Sequence, residues 1–160
     1  MQVLIMRHGE AAIAAASDAA RPLTVRGHDE SVQMATWLRA QSYAIDRVLV
    51  SPYLRAQQTL SAVHEVLTLP ETAVTLPELT PGGDAGMVAG YLEMLAREGA
   101  ETVLVVSHLP LVGYLVSALC PQETPPMFAT SAIAEVTLDN EGENGALEWQ
   151  VSPAHLLLKA

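Results

Sequence analysis

Residues 3–9 read VLIMRHG, an apolar run of four residues that ends directly in an arginine, a histidine and a glycine. Short continuous apolar runs are typical of strands that are buried on both faces of a parallel sheet. Two further runs of this kind, rich in β-branched residues and leucine, lie at residues 48–50 and 102–106. The three runs predict the interior strands of one central sheet.

Helical periodicity fills the intervals between these runs. In the first helical segment, Val32, Ala35 and Leu38 share one stripe, and Thr24 is available as the N-cap. The third segment ends at Gly99, a residue type that favours helix C-termini. The predicted helices cover about residues 25–41, 53–67 and 84–98, and a fourth runs from near Pro110 to before Pro121. Strands that alternate with helices predict crossover units and a largely parallel sheet covered on both faces.

The C-terminal part has a different pattern. Residues 134–138 and 147–151 alternate apolar with polar positions on either side of a Glu-Gly-Glu-Asn-Gly turn, which predicts an antiparallel hairpin. Residues 74–76 favour a further edge strand. Together the patterns predict an α/β fold: a three-layer α/β/α sandwich with a mostly parallel central sheet and an antiparallel C-terminal hairpin, in a single domain over residues 1–160.

Composition excludes several classes of function. The formal net charge of −10 and a pI near 4.7 disfavour binding to nucleic acid, whose phosphates the surface would repel. Cys120 is the only cysteine, so no intramolecular disulfide forms, and a reducing compartment is the simplest interpretation. No leader peptide and no apolar stretch of about 20 residues is evident. We therefore expect a cytoplasmic protein without membrane contact, with a monomer as the working expectation.

Charged and nucleophilic residues follow all three interior runs. Arg7 and His8 follow the first, Arg55 lies one helical turn beyond the Ser-Pro that follows the second, and His108 follows the third. Ligands of open α/β sheets bind at the carboxyl ends of the strands. We therefore expect two guanidinium groups and two imidazoles to meet at one edge of the sheet, where they would form an anion site.

Phosphoryl transfer suits this set of side chains. The guanidinium forks of Arg7 and Arg55 match the geometry of phosphate oxygens. The neutral imidazole of His8 can attack phosphorus and form a phosphohistidine that water then hydrolyses. Gly9, which has no Cβ, would let the backbone pass close to the phosphate, and its carbonyl could fix the tautomer of His8. His108 would donate a hydrogen bond to a phosphate oxygen.

Other interpretations of these residues are possible. Two histidines can be buried in a core with backbone partners, and Arg55 alone could be an ordinary solvated helix residue. Zinc is the main competing chemistry for histidines, but it usually needs three or four ligands, and the neighbouring arginines disfavour a cation. We expect no metal and no cofactor.

Several segments resemble the histidine phosphatase superfamily, also called phosphoglycerate-mutase-like. The run LIMRHG at residues 4–9 resembles the RHG signature of this superfamily, and later segments resemble its other motifs in the same order. Those segments are Pro22-Leu23-Thr24 with Gly27, Val50-Ser51-Pro52 with residues 55–59, and Val105-Val106-Ser107-His108. Residues 76–82, 107–114 and 124–128 resemble most closely the small bacterial phosphohistidine phosphatases of this superfamily.

The resemblance implies a substrate class. Larger members carry a helical insertion that roofs the pocket, whereas residues 69–83 here hold little more than an edge strand and a Pro/Gly-rich loop. An open, shallow site accepts a phosphorylated side chain on another protein. The implied partners are phosphohistidine-bearing proteins, such as the histidine-containing phosphotransfer (HPt) domains of sensor kinases or phosphotransfer carriers.

Two additional residues are candidates for the site. Glu78 could be the general acid that many superfamily members use, and Arg21 could extend the positive rim toward the phosphate or toward an acidic partner. Two alternative functions stay open. One is a small-molecule phosphomonoesterase or mutase, which would need Glu78 as the acid and a closed pocket. The other is a non-catalytic module that binds phosphohistidine.

Overall fold

A six-stranded sheet forms the centre of the computed structural model, which describes residues 1–158. The strand order is β3-β2-β4-β1-β5-β6; β1 to β4 are mutually parallel, whereas β5 runs antiparallel to β1 and β6 runs antiparallel to β5. The strands are β1 Gln2–Arg7, β2 Arg47–Val50, β3 Val74–Thr75, β4 Thr102–Ser107, β5 Ile133–Thr137 and β6 Ala146–Val151. The predicted mixed sheet and its C-terminal hairpin are confirmed.

Helices cover both faces of the sheet, as the alternation of strands and helices predicts. They are α1 Val25–Ala40, α2 Leu54–His64, α3 Ala85–Arg97, α4 Leu111–Leu119 and α5 Pro153–Leu158, with short 3-10 helices at Asp18–Ala20 and Pro77–Leu79. Between α2 and β4 the chain holds only β3, one 3-10 helix and α3. The chain therefore lacks the large helical insertion, as expected.

Alternation along each strand separates the core into two layers. In β1, Val3 and Ile5 pack beneath α3 and α4, whereas Leu4 and Met6 pack beneath α1 and α2. All four of these side chains are fully buried. Because both faces of the strand are buried, the run is continuously apolar, and the backbone beyond Met6 is held rigidly at the edge of the sheet.

The helices differ from the predicted ones in three details. The buried stripe of α1 is formed by Met34, Ala35 and Leu38, whereas Val32 is only half-buried. The helix α2 ends at His64, three residues before the predicted end, and its last residues continue as turns. The six-residue helix α5 was not predicted. Thr24 caps α1 by accepting a hydrogen bond from the Gly27 amide, as expected.

Among residues 1–158, none of the helices combines the length and the apolar character that crossing a bilayer requires.

Candidate active site

The carboxyl ends of β1, β2 and β4 lie side by side. Arg7 pairs in register with Ser107, and the His8 amide continues the ladder by donating to the Ser107 carbonyl at 2.9 Å. The Ser51 amide donates to the carbonyl of Val106 at 3.1 Å. The backbone thus brings the residues that follow these three strands together at one edge, as the sequence predicts.

His8 is held as the tautomer that a nucleophile needs. Its Nδ1 lies 2.7 Å from the Gly9 carbonyl oxygen, which can only accept, so Nδ1 carries the proton and donates it. The opposite nitrogen, Nε2, therefore presents a lone pair, which accepts a hydrogen bond from Nε of Arg55 at 3.3 Å. The His8 side chain is poised to attack an electrophile through Nε2.

The packing around Gly9 explains why a residue without a Cβ is needed at this position. Its amide donates to Thr59 Oγ1 at 2.9 Å, and Thr59 in turn donates to the Arg55 carbonyl at 2.7 Å. A Cβ on Gly9 would lie only 2.6 Å from the carbonyl oxygen of Gly27. Close packing against the first turn of α1 therefore requires a glycine here, and an approach of the backbone to phosphate stays a prediction.

The His108 ring lies beside that of His8, with the ring centroids 5.0 Å apart. Its Nε2 lies 2.7 Å from the hydroxyl oxygen of Ser51, and the ring of Tyr53 packs edge-on against it at 5.1 Å. Sequence reasoning treated Ser51 only as part of a motif. The structure shows that this buried hydroxyl orients the second imidazole.

Arg55 lies in the first turn of α2 and is almost completely buried, with 4% of its surface exposed. Its guanidinium group donates to the backbone carbonyl of Asp18 at 2.7 Å and to the Asp18 carboxylate at 3.2 Å. Sequence reasoning missed Asp18, which lies in the three-residue 3-10 helix between β1 and α1, a segment whose sequence has no periodic pattern.

Arg7 completes the group of four. Its Nη1 donates to the carbonyl of Phe128 at 2.9 Å. Among the described residues, two buried side-chain polar atoms have no hydrogen-bond partner, and they are Nε of Arg7 and Nδ1 of His108. Buried polar atoms without a partner are rare in native proteins. Both belong to the predicted anion site.

The electrostatic environment keeps both imidazoles neutral. Burial, the largest cause, together with the positive charges of Arg55, Arg7 and Arg21 lowers the pKa of His8 to about 4, against the raising effect of its bond to Gly9. Burial, the largest cause, together with repulsion from a protonated His8 and from Arg55 and Arg7 lowers the pKa of His108 to about 3, against the raising effect of the Asp18 carboxylate. A neutral His8 retains the lone pair that an attack on phosphorus would require.

This environment predicts that stability falls with acidification. In the unfolded chain both histidines have their ordinary pKa near 6.5, so below that pH the unfolded state binds protons that the folded state excludes. The stabilisation is complete above pH 6.5 and is lost as the pH falls toward 4 and then 3. We expect a loss of about 2 kcal/mol from each histidine between pH 7 and pH 5.

Urea unfolding at a series of pH values measures this loss. The double variant His8→Asn/His108→Gln, which cannot titrate at these positions, should show a flatter pH dependence than the unsubstituted protein. Parallel curves would contradict the lowered pKa values. His28 is a useful internal contrast because the carboxylates of Asp29 and Glu65 raise its pKa.

Arg21 reaches the site through Asp18. Its Nε donates to the Ala12 carbonyl at 2.8 Å and its Nη1 pairs with the Asp18 carboxylate at 3.0 Å. Its charge lowers the pKa of His8, so it adds to the positive field. A direct role of Arg21 toward phosphate or a partner stays a prediction.

Glu78 is half-buried in the short 3-10 helix that precedes α3. It borders two surface hollows, one with Pro77 and Gly83 and the other with Met87 and Tyr91. Within the described part of the chain, no hydrogen bond joins its carboxylate to His8 or His108. Its role as the acid stays a prediction.

The described residues contain no group of three or more His, Cys, Asp or Glu side chains arranged to hold a metal ion. The guanidinium groups of Arg7 and Arg55 and the imidazole of His108 surround the lone pair on Nε2 of His8. These groups can bind a tetrahedral oxyanion and attack it.

Comparison with known proteins identifies the family. Residues 3–88 match the model of the histidine phosphatase superfamily, branch 1. The chain is 64% identical over 156 residues to the phosphohistidine phosphatase SixA of Escherichia coli strain K12, covering 98% of this chain and 96% of that protein. It is 41% identical over 160 residues to the SixA homolog of Haemophilus influenzae, covering 96% of this chain and 97% of that protein.

Solved structures agree with the sequence matches. The structure of the protein histidine phosphatase SixA complexed with tungstate superimposes with a TM-score of 0.96 at 63% identity, covering 98% of this chain and 99% of that one. The RHG run on β1, the fold without a roofing insertion and these matches lead to one conclusion. The chain belongs to the histidine phosphatase superfamily.

Proposed function

We propose that this protein is a phosphohistidine phosphatase that removes phosphate from HPt domains or related phosphorelay proteins. The observation that carries the proposal is the meeting of His8, Arg55, His108 and Arg7 at one sheet edge, with the Nε2 lone pair of His8 facing the cationic groups. The similarity to SixA, named as a phosphohistidine phosphatase, supports the same substrate class.

In the first step, the N–H of Arg55 Nε turns from Nε2 of His8 to a phosphoryl oxygen, which frees the lone pair of Nε2. Nε2 then forms a bond to phosphorus while the bond from phosphorus to the partner's imidazole breaks. The electron pair of that bond returns to the leaving nitrogen. Because the distal nitrogen of the partner's ring already carries a proton, the ring departs as neutral imidazole. His8 meanwhile becomes a phosphorylated imidazolium whose proton stays on Nδ1, which continues to donate a hydrogen bond to the Gly9 carbonyl.

In the second step, the oxygen of a water molecule bonds to phosphorus and the bond to Nε2 breaks. The electron pair returns to His8, and dihydrogen phosphate leaves with both protons of the water. The guanidinium groups of Arg7 and Arg55 and the imidazole of His108 would stabilise the charge on the equatorial oxygens in both steps. No metal or cofactor enters either step.

The leaving group favours phosphohistidine over a phosphoester. An alkoxide must receive a proton as it leaves, whereas a protonated imidazole departs as a stable neutral molecule. A phosphohistidine substrate therefore does not require Glu78 as an acid, and the role of Glu78 toward alcohol leaving groups stays a prediction.

The short connection between α2 and β4 supports a protein substrate. Only β3, a 3-10 helix and α3 lie in that interval, so no extra helices roof the site. A phosphorylated side chain on the surface of another domain can therefore approach His8. We propose that the protein acts as a monomer in the cytoplasm, where phosphorelay domains are phosphorylated.

A comparison of substrates tests this function. We expect kcat/KM on a phosphorylated HPt domain to exceed that on sugar phosphates or p-nitrophenyl phosphate by at least about a hundredfold, because the small esters need an acid and a closed pocket. The reverse preference would establish a small-molecule phosphomonoesterase. Binding of the phosphorylated domain without release of phosphate would establish a non-catalytic module.

A further inference from the structure

Asp18 uses all three of its oxygen atoms to hold two arginines of the site. Its backbone carbonyl accepts from Nη1 of Arg55 at 2.7 Å, and its Oδ2 accepts from Nη2 of Arg55 at 3.2 Å. Its Oδ1 accepts from Nη1 of Arg21 at 3.0 Å. One residue of the loop between β1 and α1 thus ties that loop to the first turn of α2.

These bonds determine the orientation of the Arg55 guanidinium. Of its five N–H groups, one points from Nε to Nε2 of His8 and two point to Asp18, which leaves two N–H groups for other acceptors. Because the group is planar, fixing both terminal nitrogens also fixes the direction of Nε–H. The contact with Asp18 therefore aligns the edge that faces His8.

Asp18 is itself held in place by its loop. Nε of Arg21 donates to the Ala12 carbonyl at 2.8 Å, and Ala11 and Leu23 form an isolated antiparallel bridge that closes the loop at its base. The short 3-10 helix Asp18–Ala20 packs against α2. The loop can thus act as a fixed support for the arginine.

Stability alone does not require this arrangement. The side chain of Asp18 is 55% exposed, and ion pairs with a solvent-exposed carboxylate contribute little to stability. Arg55, with 5% of its side chain exposed, benefits from a partner, but the backbone carbonyl of Asp18 would remain after a substitution. The specific effect of the Asp18 carboxylate is to hold Nη2 of Arg55, in addition to the Nη1 that the Asp18 backbone carbonyl holds.

We propose that Asp18 is a positioning residue, which holds Arg55 beside Nε2 of His8 so that its guanidinium group faces the oxygens of the phosphoryl group during transfer. This inference rests on the proposed function of His8 and Arg55. It also has an electrostatic consequence, because the carboxylate lies close to the site that binds the phosphoryl dianion. Asp18 therefore improves alignment while it opposes anion binding.

Because these two effects oppose each other, we expect substitution of Asp18 to lower kcat without weakening the binding of substrate or of tungstate. In Asp18→Ala and Asp18→Asn, we expect kcat on a phosphorylated HPt domain to fall by about tenfold, because a loosened guanidinium aligns less often. We expect KM and the tungstate Kd to stay equal or to fall several-fold, because a negative charge has been removed. Asp18→Glu, which keeps both carboxylate oxygens on an exposed loop, should recover most of kcat.

The control variant is Asp29→Ala, which removes a more exposed carboxylate on α1, 70% exposed, that pairs with His28. It should leave kcat, KM and tungstate binding unchanged. A purely structural role of Asp18 would instead lower Tm and weaken kcat and anion binding together. That result, or a kcat within twofold of the unsubstituted protein, would overturn the proposal.

The test separates this proposal from the proposed function. If the unsubstituted protein fails to dephosphorylate any phosphohistidine protein, the proposed function fails on its own. The alignment is still measured by the ¹⁵N resonance of His8 Nε2, which senses the hydrogen bond from Arg55. We expect that resonance to shift in Asp18→Ala and not in Asp29→Ala; an unchanged resonance would overturn the role of Asp18.

Discussion

His8→Ala is expected to lower kcat on a phosphohistidine protein by about ten thousandfold or more, since it removes the atom that forms the covalent intermediate. No other described residue can replace it. His108 is the neighbouring imidazole, but its Nε2 is hydrogen-bonded to the Ser51 hydroxyl at 2.7 Å. The centroid of its ring lies 5.0 Å from that of the His8 ring. The measurement is single-turnover release of phosphate from the phosphorylated domain.

Trapping the covalent phosphohistidine intermediate tests whether His8 itself is the nucleophile. After an alkaline quench, which preserves phosphohistidine, the unsubstituted protein should carry phosphate on His8, and the variant should carry none. His64→Ala, which removes an exposed histidine at the end of α2, is the matched control and should react normally. Because His8 is buried, tungstate binding and Tm of the variant should be recorded to show that the site still folds. Near-normal turnover in a folded His8→Ala protein would refute the nucleophile.

Sequence reasoning could predict the four site residues because Arg7, His8 and His108 lie at the ends of strands of the central sheet. Arg55 lies in the first turn of the helix that follows β2. The apolar run from Val3 to Met6 is buried on both faces, and this burial fixes where Arg7 and His8 emerge. The parallel register between β1 and β4 then brings His108 beside His8. Periodicity and strand ends are local signals, so a single sequence contains them.

Asp18 and Ser51 were not predicted because their roles depend on contacts that no local pattern encodes. Asp18 meets Arg55 across 37 residues of chain, from a loop without helical or strand periodicity. Ser51 meets His108 across 57 residues, and a serine before a proline otherwise indicates only a turn. Such polar pairs are determined by the packed geometry of two loops rather than by the residues next to them.

The reason for Gly9 illustrates the same limit. A glycine after the histidine suggested a close approach of phosphate, and the sequence did not indicate that the space its Cβ would need is occupied by the carbonyl of Gly27. That neighbour becomes evident only when α1 is placed against the loop. The short helix α5 was missed for a simpler reason, since six residues are too few to show a helical period.

Arg55→Ala is expected to lower kcat/KM by about a hundredfold to a thousandfold, the usual effect of removing one charged donor from a transition state. The Arg55 side chain contributes the hydrogen bond from Nε to His8 Nε2 at 3.3 Å and the positive charge that helps to keep His8 neutral. Its loss leaves the Asp18 carboxylate exposed to water, so the fold should survive. Arg47→Ala, at the exposed start of β2, is the matched control.

Arg55→Lys separates charge from geometry. A lysine restores one positive charge but cannot direct one N–H at His8 while it holds Asp18 with two others. We therefore expect Lys to recover at most about a tenth of the lost rate, and added guanidinium ion to rescue Arg55→Ala better than it rescues Arg55→Lys. Measuring formation and hydrolysis of the His8 phosphoenzyme separately should show both steps slowed, because the same equatorial oxygens carry charge in each. If Lys were as active as Arg, charge alone would suffice, and the fixed fork between Asp18 and His8 would have no part in the reaction.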